Sequence, residues 1–402
     1  MLAMKVTSLQ TMCLSRLHEL ENQWFSNTFR VPKADCVIVI VETDEGLTGI
    51  GEACAYGGPE QIKDWVGYLQ HELIGRNPLD VATSPIPHFR SRSYDCAVSG
   101  IDCALWDIRG QAAGKPVGQL LVDMGLSSRT APALSEVKLY ASSGCRYDWR
   151  DDPRQLIGET LGYVRAGYPS VKVRIGTYWD WDGVTVDRFL GLIRELHQAV
   201  RAESATFGLA VDGNQRLTLD QSLVIAKELD RLGFAWFEEP IPQMDVEDYA
   251  KIAASVDLPI TGGEQFTTAE QFRHHFERHA YDIAQPDVGM CGITEGLKIA
   301  RYAEKYGIKI IPHNWHNGLM TMANAHFVAA LPDPIYCELC MIQGPLQWAI
   351  FKDKPVIADG TLHLGNKPGL GVTLAADLPQ RFPYFSGSWA MTIDRQELMQ
   401  PR

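Results

Sequence analysis

A chain of 402 residues, 46% hydrophobic and 21% charged, is long enough for more than one packed domain and has the composition of a soluble globular protein. Its net charge of −12 argues against a nucleic-acid partner, whose phosphates demand a basic surface, but not against a small anionic substrate beside a metal ion. No apolar run of about 18 residues occurs, so no membrane partner is expected. The opening MLAMKVTSLQTMCLSRLHEL has no long apolar core and reads as free of a targeting segment. Together with nine singly scattered cysteines, this predicts free thiols and a cytoplasmic location. Cys337 and Cys340 form one C-x-x-C, which lacks the further ligands of a zinc site and is expected to be buried packing.

Residues 1–130 read as an α+β module. Cys36–Glu42 is an apolar strand, Thr43–Gly46 a turn and Leu47–Cys54 the returning strand, which is a hairpin signature. Helical stretches follow. In the second, Ala97, Ile101, Ala104, Leu105 and Ile108 share one face. From about Val137 short apolar strands alternate with helices: KLYASS, SVKVRIG, GLAVDGN, FAWFEEP, PITGGEQ, DIAQPD, IKIIPHN and IYCELC. Asp220–Leu232, Thr267–Glu277 and Thr294–Tyr306 are the clearest intervening helices. Eight such units predict a parallel, closed (β/α)₈ barrel over residues 131–350. A doubly wound sheet would want a Gly-rich phosphate loop after its first strand, and Leu139–Gly144 has no G-x-G-x-x-G. Residues 351–402 include the Gly- and Pro-rich stretch 354–374, expected to fold back onto the first module.

The active face of a barrel lies at the C-terminal strand ends. Here the second strand ends in Lys172-Val173-Arg174, and the following ends carry Asp212, Glu238, Glu264, Asp287, His313 and Glu338. Asp212, Glu238 and Glu264 come from neighbouring strands and should converge. Three converging carboxylates repel unless a cation neutralises them, and an oxygen-only set suits Mg²⁺. Period two turns Val171, Val173 and Ile175 toward the helices and Lys172 and Arg174 into the barrel. Asp287 beside His313 is the arrangement of a general base, and Glu338 is a candidate donor of a hydrogen bond to a developing oxyanion or leaving group. Such a set fits removal of the proton next to a substrate carboxylate, the resulting charge being stabilised by the cation and Lys172.

These residues resemble the enolase superfamily, and within it the mandelate racemase subgroup. The similarity covers essentially the whole chain. It is carried by SGIDCALWDIRGQAAGKPVGQLL (99–121), then KVR, VDGNQ, FEEP, GGEQ, QPD and PHNW in order, and PGLGV (368–372). The resemblance implies an N-terminal capping domain completed by the C-terminal segment. It implies Mg²⁺ on Asp212, Glu238 and Glu264, a His313–Asp287 base, Glu338 near the substrate carboxylate, and a symmetric homo-oligomer. Many members carry a second base where this chain has Arg174, and a permanently protonated Arg is a poor base. One-base dehydration of an acid sugar to a 2-keto-3-deoxy acid is therefore expected. An epimerase, racemase or cycloisomerase, or a catalytically silent barrel used for binding, stands as the alternative. Asp287–Gly296 is expected to form a shortened loop. Asn27, Arg30, Lys33 and Tyr56 are polar candidates for substrate contact.

Overall fold

The computed structural model describes residues 4–19, 22–26, 29–87, 91–146, 153–174, 185–342 and 344–392. The first module is built on an antiparallel sheet of β1 (Val6–Leu17), β4 (Lys33–Thr43) and β5 (Thr48–Ala53), with β4 in the middle. The short pair β2 (Trp24–Ser26) and β3 (Phe29–Val31) lies in a separate sheet. The hairpin read from the sequence is β4–β5, turning at Gly46 with φ of 81°. Period two divides β4 between two cores. Cys36 and Ile38 join the core shared with the barrel, whereas Val37, Val39 and Val41 face the helices.

Those helices are α1 (Pro59–Leu73) and α2 (Arg92–Ala113), followed by α3 (Val117–Asp123). The expected apolar face of α2 is present, but burial extends all round it from Tyr94 to Gly110. Gly49 and Gly51 of β5 allow this close approach. A Cβ on either would stand 2.1 Å from a carbonyl oxygen of α2.

The eight expected strands of the barrel are all present. They are β6 (Glu136–Ser143), β7 (Ser170–Arg174), β8 (Gly208–Asp212), β9 (Trp236–Glu238), β10 (Ile260–Gly262), β11 (Ile283–Ala284), β12 (Lys309–Ile310) and β13 (Cys337–Cys340). They pair in parallel from β6 to β12 in chain order, and β13 returns to pair with β6. Between β12 and β13 the join is made by Asn314, whose backbone N–H donates to Glu338 Oε2 at 2.6 Å and whose amide donates to Glu338 O at 2.9 Å. The helices between strands are α4 (Gln155–Arg165), α5 (Val186–Glu203), α6 (Leu219–Leu232), α7 (Val246–Ala253), α8 (Ala269–Glu277), α9 (Val288–Glu304) and α10 (Gly318–Ala330). The helix expected from Thr294 starts earlier, directly after Asp287, so the shortened loop expected at Asp287–Gly296 is replaced by α9 with a break at Gly292, φ 76°. The break lets Asp102 of α2 accept from Thr294 N at 2.8 Å and from its hydroxyl at 2.6 Å, tying the first module to the barrel. Tyr140, Ala210, Trp236, Ile283 and Ile311 fill the barrel interior as one apolar cluster.

The last segment does return to the first module. β14 (Val356–Ala358) and β15 (Thr361–His363) form a hairpin that pairs with the start of β6. Asp107 of α2 then accepts from Leu370 N at 2.7 Å and from Ile50 N at 3.0 Å. A short helix, α11 (Leu378–Arg381), follows, and β16 (Met391–Thr392) pairs with β3. All nine cysteines are free, and Cys337 and Cys340 are both buried. Among the described residues no helix is long and apolar enough to cross a membrane.

Gly369 reports on this return. Its φ is +73°, and a Cβ there would stand 2.0 Å from Asp107 Oδ1. Gly369→Ala is expected to lower stability by roughly 2–4 kcal/mol, through backbone strain and loss of the Asp107 contacts. Urea unfolding measures this, and an unchanged midpoint would show that the segment docks without that contact.

Candidate functional site

Lys172 and Arg174 are both buried inside the barrel, as their alternation with Val171 and Val173 predicts. The Lys172 ammonium lies between Glu238 Oε1, with which it makes a short ion pair, and Glu338 Oε1 at 2.9 Å. Burial pushes this ammonium toward losing its proton, but Glu238, Glu338 and Asp212 overcome that and hold it charged. The Arg174 guanidinium donates to Asp212 Oδ2 at 3.2 Å and lies 5.2 Å from the Trp315 ring centre. Its pKa is likewise raised: burial opposes the charge, and Asp212 is the main group that overcomes it.

Parallel register brings the acids together. Arg174, Asp212 and Glu238 are Cα partners across β7, β8 and β9. The turns beyond these strands are interlocked. Gly213 N donates to Glu238 O and Gln215 N to Glu239 O, both at 2.7 Å, and the Gln215 amide donates to Glu239 Oε2 at 2.7 Å. Asn214, Gln215 and Glu239 all adopt positive φ here, a local strain concentrated beside the acids. Glu238 also accepts from the Gln285 amide at 2.7 Å and from the Trp236 indole at 3.3 Å. Glu264 lies 3.2 Å from His313 Nε2. Burial raises the pKa of Glu238; the charges of Asp212 and Glu338 add to that, and Lys172 opposes it. Glu239 is raised by burial and then by Glu264.

His313 Nδ1 donates to Asp287 Oδ2 at 2.7 Å. His316 Nε2 donates to the same oxygen at 2.7 Å, while Asp287 Oδ1 takes the Gly289 N–H at 2.7 Å. Burial disfavours the charged ring of His313, but Glu264, Glu338 and Asp287 outweigh it and lift its pKa to about 10. Asp287 is held well below the usual carboxylate range: burial works against this, and the two imidazoles prevail. For Glu338 burial favours the protonated form, but Lys172 and then His313 outweigh it and lower its pKa.

Among the described residues, one group of side chains is gathered tightly enough to hold a metal as it stands. Asp287, His313 and His316 are close enough to do so. Their facing atoms are already joined in hydrogen bonds through Asp287 Oδ2, and a mixed nitrogen and oxygen set suits zinc-like ions. Asp212, Glu238 and Glu264 offer oxygen alone, which suits Mg²⁺, but their oxygens are not all gathered within 4.8 Å of one another, so the expected convergence is incomplete. Around them Glu338 adds further negative charge, against the buried cations Lys172 and Arg174. Burial is the main cause of the raised pKa of Glu238, and the charges of Asp212 and Glu338 add to it; a divalent cation would relieve that repulsion.

All eight candidates from the strand ends thus lie around one mouth. His316, Gln285, Asn314 and Glu239 belong to the same network and were missed, although each lies within three residues of a candidate. Lys33 is buried in a pair with Asp35 at 3.1 Å. The Tyr56 hydroxyl donates to Trp315 O at 3.3 Å. Arg30 lies on β3, and Asn27 falls outside the described residues.

A family model described as enolase C-terminal domain-like matches residues 156–378, and one described as the mandelate racemase/muconate lactonizing enzyme N-terminal domain matches residues 24–122. The arabinonate dehydratase of Saccharolobus solfataricus is 30% identical over 349 residues, covering 85% of this chain and 88% of that relative. The D-galactarolactone cycloisomerase of Agrobacterium fabrum is 28% identical over 398 residues, covering 94% and 99%. The solved structure of an enolase-superfamily member from Polaromonas sp. JS666 aligns with a TM-score of 0.80 at 28% identity, covering 95% of this chain and 98% of that one.

The ion-pair column carries its own test. Lys172→Met removes the cation between Glu238 and Glu338 and is expected to destabilise the fold by about 3–5 kcal/mol, because two buried acids lose their counter-charge. Denaturant titration reads this directly, and an unaltered midpoint would contradict the pairing.

Proposed function

Because the chain belongs to the enolase superfamily, with an N-terminal domain of the mandelate racemase/muconate lactonizing type, we propose that it is an acid-sugar dehydratase. It converts a sugar acid to the 2-keto-3-deoxy acid and water. The observation that carries this reading is the one-sided base. His313 is fixed through Nδ1 by Asp287, its Nε2 faces the acid-lined mouth, and Arg174, a poor base, stands on β7 across that mouth.

His313 takes the proton from the carbon next to the substrate carboxylate. The electrons move onto that carboxylate, where Lys172 supports the growing negative charge. The 3-hydroxyl then departs, accepting the proton from His313 and leaving as water. The resulting enol gives up its hydroxyl proton and takes one up at the third carbon, becoming the keto acid. Asp287 holds the ring in place, and Glu338 keeps Lys172 charged and positioned.

Members of this superfamily use Mg²⁺ with a Lys or His base. Asp212, Glu238 and Glu264 would hold it here, and when bound it supplies positive charge opposite the substrate carboxylate. With Glu264 engaged in that way, the largest of the charges raising the His313 pKa is withdrawn, which favours the neutral ring a base requires.

A cycloisomerase reading has one finding in its favour: the similarity to the galactarolactone enzyme spans more of both chains than that to the arabinonate enzyme. The products separate the two, since dehydration yields a 2-keto acid with loss of water and ring opening does not lose water.

His313→Asn is expected to lower turnover by about 10²–10⁴-fold while Mg²⁺ affinity, read by calorimetry, stays as in the parent. Full activity in that variant would remove His313 from the reaction. Asp212→Asn should weaken Mg²⁺ binding and turnover together, by at least the roughly 10–100-fold that loss of an outer partner causes. Undiminished affinity would exclude Asp212 as a ligand.

A further inference from the structure

His316 is buried and has no part in the reaction as drawn, yet it shares the oxygen that holds the base. Asp287 Oδ2 accepts from both imidazoles at 2.7 Å, and Oδ1 accepts from Gly289 N at 2.7 Å. A carboxylate oxygen offers two lone pairs, so Oδ2 is filled and the carboxylate cannot turn without breaking a hydrogen bond. The two rings stand at 88° with centres 6.0 Å apart, so each reaches Asp287 from its own side. Gly289 makes room for this. A Cβ there would stand 2.6 Å from His316 Nε2 and 3.0 Å from Asp287 Oδ1. Burial disfavours a charged His316 ring, but Asp287 and then Cys54 outweigh it and raise its pKa, so the ring keeps both N–H groups and Nε2 can donate.

The first module fixes the turn on which His316 is carried, between β12 and α10. Glu52 of β5 accepts through Oε1 from Asn317 N at 3.2 Å and from the Asn317 amide at 2.9 Å, and through Oε2 from Met320 N at 2.9 Å. The Asn317 amide also donates to the carbonyl of Asp35 on β4 at 2.9 Å. Cys54, which follows β5, lies against the His316 ring. A line of direct contacts therefore runs from the sheet of the first module through His316 and Asp287 to His313.

We propose that His316 is a positioning residue for the base: it locks the Asp287 carboxylate in the orientation that aims His313 Nε2 into the mouth, and through it the first module governs that aim. The inference rests on the reading of His313 as the base and adds a residue that acts only through Asp287. Without His316, Oδ2 keeps one partner, and the carboxylate can swing about its Gly289 contact and carry the His313 ring with it. A misplacement of about 1 Å at a reacting group costs on the order of a hundredfold in rate.

The test compares His316→Leu, which removes the donor, with His316→Gln, whose amide N–H reaches the place of Nε2. Both are read in the Mg²⁺-loaded enzyme on a sugar acid that the parent dehydrates. His316→Leu is expected to lower kcat about ten- to a hundredfold and to leave KM within about threefold of the parent. His316→Gln is expected to recover most of that loss. Proton NMR supplies a readout without turnover: the far-downfield signal of His313 Nδ1–H, identified by its disappearance in His313→Asn. Signal and kcat should change together in His316→Leu and return together in His316→Gln. A change in one without the other, no change in either, or no return overturns the inference. Gly289→Ala crowds the same contact from the first turn of α9, at a position of helical geometry, and leaves His316 in the chain. It should reproduce the joint change, and it decides the matter if His316→Leu does not fold: parental kcat with an unmoved signal overturns the inference. If the parent dehydrates no sugar acid, the signal alone decides on His316, and the dehydratase reading falls separately.

Discussion

The barrel mouth depends on one buried cation held between two acids. Lys172 touches Glu238 on one side and Glu338 on the other, and each contact links a different part of the ring of strands. Without it, the acids at the ends of β9 and β13 would face a low-dielectric interior with no counter-charge. With it, the acids keep a net negative surplus that a divalent ion can complete. The arrangement is therefore electrostatically unfinished as the chain alone builds it, which is a property of binding sites more than of structural cores.

The first module and the last segment supply what the barrel lacks. Asp102 and Asp107, both on α2, reach in different directions, one to α9 and the other to the returning Gly369–Leu370 turn. A single helix thus ties the module to the barrel and to the returning segment. Buried nearly all round, α2 has little freedom to rotate, and the wall facing the mouth is held with it.

Much of this was legible in the chain. From the second onward, each barrel strand is a short apolar run leading to a titratable residue, so strand positions and inward-facing groups followed from period two and from the rule for barrel faces. The hairpin β4–β5 was equally plain. β1 was not, because its polar residues alternate with only partial burial and its identity depends on pairing with β4. The start of α9 was misplaced because Gly292 interrupts the periodicity with a conformation only the contact with Asp102 explains. The direction in which the Glu338 pKa moves is set by the nearness of Lys172 and His313, which no spacing encodes.

Glu338 also has a mechanical office. β12 and β13 share no ladder among the described residues, and the hydrogen bonds from Asn314 to the side chain and carbonyl of Glu338 bridge that gap. The seam of the cylinder is thus sewn by a residue that also grips the reactive ammonium. Any exchange at this position alters the closure of the barrel and the charge at its mouth in a single stroke. Tuning the chemistry by that route is barred to the protein unless the stitch is remade elsewhere.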